Sequence, residues 1–459
     1  MREDTPLIGE NSQRKGSPWY PIATMFLVAF SGSALLAPHV QLYTEIFCYV
    51  HYGKSDIPIQ DCSIPPVQKM VSKAQAMIMF LTYASTLLSA SLYGRLSDRK
   101  GRVLVLRIST IGSFLYVACD LITATYYKSI GVALMFIGPL VRGILVGDSV
   151  LMAAVQAYIA DCTSKSSRTI IFARLMASLF IGSAVGPFIS SLLLKHTQKV
   201  THVFYLAFFV DLVNVVYTNF FIPETRSLSE LQEASQTSKK SSFSSNINVF
   251  SALKVIVQEH PTRMARHALL WIAVADFLLS LVRRPPTLIY AMLKFKWTAY
   301  EGSLYYTYAS FMKLMIMVCI LPLLSKLFKK ETHDESFDFD IWMVRIGIGI
   351  DAVCLALAGV ASSGILFATA GMFQSFSMLA QPSIRGLITV MVSSNQVGEL
   401  LGAIAILDSV ANIVAHLGIN TLYSATVSFM PNLTFFICAL IALFSCSAAF
   451  LVKRKEAVF

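Results

Sequence analysis

GRLSDRKGR, residues 94–102, packs four basic side chains and one acid into nine positions between two long apolar stretches, near 74–96 and 103–126. A loop this charged stays out of hydrocarbon, so the stretches on either side must enter and leave a bilayer as separate helices. Working outward, apolar runs long enough to span fall near 20–43, 74–96, 103–126, 131–159, 170–194 and 202–222. A second set falls near 266–290, 303–327, 341–361, 364–384, 397–424 and 431–452. About twelve spans follow, in an all-α membrane protein.

Composition agrees with that count. The chain is 55% hydrophobic and 14% charged, with mean hydropathy +0.64, against about 25% charged residues in a soluble domain. Twelve spans of roughly 20 residues need about 240 apolar positions, and 55% of 459 residues is about 252. Little is left for a soluble domain. The net charge of +11 belongs to short loops rather than to a nucleic-acid surface. Basic clusters precede the first span (Arg2, Arg14, Lys15) and follow the second, fourth, sixth, eighth and twelfth, which predicts both ends in the cytoplasm.

The organisation expected is a cytoplasmic tail over 1–18, a six-helix bundle over 19–223, and a Ser-rich cytoplasmic linker over 224–262. A second bundle over 263–452 and a tail over 453–459 complete it. The polar start is no cleavable signal peptide. Within the linker, Ile247, Phe250, Leu253 and Val257 suit either an amphipathic helix on the inner leaflet or a solvated strap. The break from Glu45 to Lys69 carries Cys48 and Cys62; a disulfide there would contribute about 3 kcal/mol in an oxidising compartment, and free thiols are the alternative. The eight cysteines lack the paired spacing of a zinc or haem site, and no phosphate-binding GK[ST] loop occurs, so neither metal nor cofactor is expected.

GRLSDRKGR matches the G-x-x-x-D-R-x-G-R signature of the major facilitator superfamily, between the second and third helices where that family carries it. The resemblance implies two six-helix pseudo-symmetric halves and, from Gly94, Asp98, Arg99, Gly101 and Arg102, a latch between the two halves on the cytoplasmic side. The glycines would allow close approach, and Asp98 would face a helix N-terminus and an arginine. The stretch from Arg142 to Ser190, with AYIAD ending at Asp161 and Gly186-Pro187, resembles tetracycline-type drug:proton antiporters. The same stretch, with QPSIRGL around Arg385, NTLYSATVSF, and PET at 223–225, also resembles the proton-coupled folate transporter group. Gly182, Gly186 and Pro187 are the matching helix-packing motif. The departures are specific. The first helix, FLVAFSGSALLAP, lacks the antiporters' acid, Ser190 replaces a glycine of their motif, and the fifth-helix place of the folate group's glutamate, around Met176, is apolar.

Ionisable residues inside spans cost about 2.5–3.5 kcal/mol each at the bilayer centre, and persist where they face water, a partner or a solute. Asp120, Arg142, Asp148, Asp211, Asp276, Lys313, Arg345, Asp351, Asp408 and His416 are such residues. The expected pathway set is Arg142, Asp148, Asp276, Arg283, Lys313, Arg345, Asp408 and His416, with Arg385 from the resemblance. On an ideal helix Arg142 and Asp148 lie about 240° apart, so they cannot both point into the cavity; the resemblance to the antiporters implies that Arg142 does, with a structural pairing with Asp120 or Asp211 as the alternative. Pro285-Pro286 should bend or end the seventh helix beside Arg283 and Arg284. Those arginines either build a gate or snorkel to the interface. His416 is either a proton carrier or a hydrogen-bonding residue.

The function expected is secondary transport of a small organic solute by alternating access, with protons as a candidate coupling ion. A multidrug:proton antiporter is the rival, and a non-transporting receptor the remoter one. The chain should act as a monomer in contact with membrane lipid and no nucleic acid, in the plasma membrane or a vacuolar or lysosomal membrane. The last choice rests on Glu3-Asp4-Thr5-Pro6-Leu7-Ile8, which resembles an acidic dileucine sorting signal. Asn432-Leu433-Thr434 fits the glycosylation acceptor pattern.

Overall fold

The computed structural model describes residues 16–54, 57–163, 168–225, 267–328, 333–391 and 397–452. The dileucine pattern and the amphipathic part of the linker lie outside these residues, as do the side chains of Arg95 and Asp98. All regular structure among the described residues is helical, and it forms twelve membrane spans. Spans one to six are Trp19–Tyr52, Pro65–Lys100, Arg102–Ile130, Ala133–Cys162, Arg168–Thr197 and Thr201–Phe220. The second six cover 268–295, Ala299–Phe328, His333–Val360, 364–390, Val397–Thr426 and Leu433–Leu451. Eight of the twelve are long and apolar enough to cross by length and composition alone. Large apolar side chains such as Leu88, Phe209, Phe220 and Ile365 stand on the outer surface, where lipid receives them.

Packing repeats with a period of six spans. Span one packs on five and three on six, and likewise seven on eleven and nine on twelve. The main contacts between halves are five against eight and two against eleven, a pair that exchanges under the same six-span shift. Spans two, five, eight and eleven therefore form the seam, and one, four, seven and ten lie off it.

Those last four spans are all interrupted. In span one the helix is offset at Leu35, where Pro38 denies a hydrogen bond to the carbonyl four residues back. Span four breaks over 145–147, with Val146 at φ 76° and its carbonyl accepting from Ser109 Oγ at 3.1 Å. A β-branched residue rarely adopts that conformation, and it is held here by tertiary packing. Span seven stops at Val282 and restarts at Thr287 beyond Pro285-Pro286, and span ten passes through a 3₁₀ turn over Ser375–Leu379.

The loop expected from Glu45 to Lys69 is shorter than the sequence reading. Span one continues to Tyr52, a four-residue helix covers Ile59–Cys62, and span two begins at Pro65, whose missing N–H suits a first helical position. Cys48 and Cys62 are joined by a disulfide, with Cα atoms 5.4 Å apart, tying the end of span one to the short helix.

Gly182 and Gly186 set the closeness of spans five and one. A Cβ at Gly182 would stand 2.7 Å from the Phe26 carbonyl oxygen, and one at Gly186 2.6 Å from Ser33 Oγ. Gly186→Val should cost about 1–3 kcal/mol through overpacking, read as a lower Tm in detergent. An unchanged Tm would mean the two spans can part freely. Gly94, by contrast, faces open space, so the close approach expected there does not occur.

Candidate functional site

The broken spans deliver charge to the centre of the molecule. In the first half, Arg142 Nη2 donates to Asp148 Oδ1 at 2.6 Å, and its guanidinium lies 5.0 Å from the centre of the Tyr116 ring. The 240° estimate fails because the helix does not run through: the break at 145–147 turns Asp148 back toward Arg142. The alternative pairing of Arg142 with Asp120 or Asp211 is not formed either. Asp211, buried on span six, accepts from Ser31 Oγ at 3.1 Å. Asp120 is bonded to His39 Nε2 at 2.8 Å, a partner the sequence reading missed.

In the second half, Arg385 on span ten donates to Asp408 on span eleven and lies 3.8 Å from Asp276 Oδ2 on span seven. Asp408 also accepts from Ser280 Oγ at 3.1 Å. One arginine thus ties three spans. Arg283 faces the side-chain amide of Gln381, and Arg284 Nη1 donates to the Tyr83 hydroxyl at 3.0 Å across the seam. Tyr83 in turn stacks on His416 at 5.4 Å between ring centres. Lys313 on span eight stands one residue-turn before a π-helical segment, Ile316–Ile320, in the field of Arg283, Arg284 and Asp351. Asp351 accepts from Gln374 Nε2 at 2.8 Å. Among the described residues, Arg283, Arg284 and Lys313 have no carboxylate within 4.0 Å.

Other expected site residues stand elsewhere. Arg345 donates to the carbonyls of Ala449 and Val452 at 3.3 and 3.2 Å and lies over the rings of Trp342 and Phe450. It closes the C-terminal end of span twelve, so its cost in the membrane is met by helix-end carbonyls rather than by a pathway. His416 and Asp408 share a helix but not a site, since His416 is buried in the seam against Tyr83 while Asp408 serves Arg385. Asn432 Nδ2 donates to the Gly359 carbonyl at 3.0 Å, and Thr434 is fully buried. Both acceptor residues are thereby committed to packing.

The GRLSDRKGR loop forms a second cluster. Gly101 has φ 105°, and a Cβ there would run into the carboxylate of Glu224. That carboxylate accepts from the Arg102 and Val103 N–H groups, each at 3.0 Å, and so caps the N-terminus of span three from the end of span six. Arg102 reaches Asp161 at 3.3 Å and Ser97 at 3.0 Å. Tyr158 donates to the Pro223 carbonyl at 2.9 Å. These bonds join spans two, three, four and six within the first half. Arg99 is exposed. The PET triplet was legible as a helix end, but the capping role of Glu224 depends on a contact 122 residues away.

On the opposite side, where the disulfide lies, the halves are fastened to each other. Gln41 Oε1 accepts from the Ala299 N–H at 2.6 Å. Lys296 Nζ donates to the carbonyls of Gln60 and Ser63, and Ser72 Oγ to that of Asn420 at 2.7 Å. Ser190 and Ser303 hydroxyls meet at 3.3 Å.

Twelve spans in two related halves, with charges on the interrupted helices between them, define an integral, multi-pass membrane protein of the carrier type. The chain belongs to the Major Facilitator Superfamily, whose family model matches residues 22–416. It is 25% identical to an uncharacterized membrane protein of Schizosaccharomyces pombe, over 94% of this chain and 78% of that one. It is also 25% identical to the proton-coupled folate transporter of Bos taurus, over 77% of this chain and 72% of that one. In fold it is similar to a D-xylose-proton symporter, with TM-score 0.67 and 14% identity over 96% of this chain and 98% of that one.

Proposed function

We propose that this protein carries a small organic anion across the membrane by alternating access of its two halves, with proton movement as the energy source. The observation that carries the reading is the trio Arg283, Arg284 and Lys313. Three cations are gathered beside a broken helix, Arg283 and Arg284 exposed and Lys313 half-buried, with no carboxylate within ion-pair reach among the described residues, and this concentration of positive charge favours an anion over the water that otherwise solvates it. A carboxylate, sulfate or phosphate on the solute would supply the missing charge, and the arginines can grip it with two parallel hydrogen bonds. The folate carried by the bovine relative is one such anion.

The halves are fastened on the disulfide side, so the state described here receives solute from the side of the GRLSDRKGR loop. By the distribution of Lys and Arg that side is the cytoplasm, with both tails and the 224–262 linker. The membrane is the vacuolar or lysosomal one if the dileucine pattern is read by sorting adaptors, and the plasma membrane otherwise. The rival reading, drug:proton antiport, is supported by the Arg142–Ser190 stretch and differs in the charge of the solute.

Both are tested by reconstituting the purified protein in proteoliposomes and measuring uptake and efflux of labelled folates, other organic anions and cationic drugs at two pH values. Accumulation of anions, reduced at least tenfold by Lys313→Ala or Arg283→Gln at equal incorporation, is the expected result. Movement of cations alone, indifferent to these substitutions, would replace the anion reading with the antiporter one.

A further inference from the structure

The first half contains a buried acid–base pair that the solute site does not use. His39, on the part of span one beyond the Leu35 offset, places Nε2 2.8 Å from Asp120 Oδ2 on span three; Asp120 is 1% exposed and the His39 side chain 15%. The imidazole is boxed by the rings of Tyr43 at 5.8 Å, Tyr116 at 6.0 Å and Phe204 at 5.2 Å. We infer that His39 and Asp120 together form a proton-binding site that is coupled to the central cavity through Tyr116 and Arg142.

The argument is one of charge conservation in a region of low dielectric. With the imidazole neutral, the pair carries one negative charge on Asp120, surrounded by rings and out of reach of water. Binding one proton converts it to an imidazolium–carboxylate pair of net charge zero, so protonation removes a buried uncompensated charge. Loss of that proton restores the anion, which keeps the Tyr116 hydroxyl as a partner, and the cation beyond it is the Arg142 guanidinium, 5.0 Å from the centre of the Tyr116 ring. Arg142 is at present held by Asp148, which is 67% exposed. Tyr116 is the link, since its hydroxyl meets Asp120 and its ring carries Arg142: a proton on His39–Asp120 leaves Arg142 with Asp148, and its loss adds a negative charge on the Tyr116 side of Arg142 that weakens the hold of Asp148. The titratable and charged groups facing the pair are Tyr43 from span one, Tyr116 and Cys119 from span three, and Arg142, with Asp148 behind it, from span four. Span six contributes Phe204 and, two turns further on, Asp211, which is occupied by Ser31.

The coupling role rests on the transport reading above; the proton site does not, and the experiment separates them. In the first arm, lightly buffered purified protein in detergent is stepped from pH 8 to pH 5.5 and proton uptake is read with an indicator dye. Wild type should take up one proton more than His39→Gln/Asp120→Asn. Should the double variant misfold, His39→Gln alone keeps a hydrogen-bond donor to Asp120 and should move the uptake midpoint by at least one pH unit. An identical proton count in the double variant, or an unmoved midpoint in the single one, overturns the site. In the second arm, proteoliposomes with an internal pH dye are given labelled folate or another anion that wild type exchanges. The double variant should retain solute exchange within threefold while losing solute-driven proton flux. Proton flux equal to wild type overturns the coupling. Failure of wild type to exchange any solute tested refutes the transport reading, and the first arm still decides the proton site.

Discussion

Arg385→Ala should reduce transport to background and destabilise the protein, while Arg385→Ala/Asp408→Asn should recover the stability and leave transport lost. Arg385 is the shared counter-ion of Asp408 and Asp276, which come from two other spans. Removing it strands two carboxylates about the same point, and breaking a buried pair costs about 3–5 kcal/mol. Arg385 is itself 43% exposed, so water offsets part of that loss, and about 2 kcal/mol is the expected scale. Neutralising Asp408 in the same molecule removes the repulsion, and Ser280 can still bond to the asparagine in its place. The measurements are Tm in detergent and uptake in proteoliposomes. If the single variant keeps both, the Arg385 network is neither structural nor part of the pathway. If the double variant recovers both, the network is structural alone.

The twelve spans were legible because hydrocarbon leaves the backbone one solution, and a run of about 20 apolar residues is hard to mistake. The break in span seven was legible from Pro285-Pro286. The break in span four was not, since nothing but tertiary packing holds Val146 at positive φ, and a periodicity argument that assumed a continuous helix put Arg142 and Asp148 on different faces. Charge alone also marked Arg345 as a pathway residue, although its partners are carbonyls about a hundred residues later in the chain. His39 escaped notice because a histidine beside a proline near a helix end reads as interfacial, and its partner is 81 residues away. What sequence conveys well here is which residues are too costly to leave alone in a membrane. Which of them meet is set by the packing of the halves.

That packing leads to the sharpest test of alternating access. Ser190→Cys with Ser303→Cys, oxidised, should lock the transporter and abolish solute movement, and a reductant should restore it. The two hydroxyls lie 3.3 Å apart on spans five and eight, both side chains buried, at the seam between halves on the disulfide side. Replacing each oxygen by the longer C–S bond brings the two sulfurs to bonding distance without moving either backbone far. A carrier that must open on this side has to separate these spans by several ångströms in each cycle, and a covalent bond between them forbids it. Each single substitution leaves nothing to cross-link and should transport within a few fold of wild type. Reductant also reaches the Cys48–Cys62 bridge, so wild type treated in the same way supplies the baseline for recovery. Cross-linking is followed by mass spectrometry. A double variant that is fully cross-linked yet transports at the wild-type rate would show that the halves do not part at Ser190 and Ser303, and the cycle would have to open elsewhere.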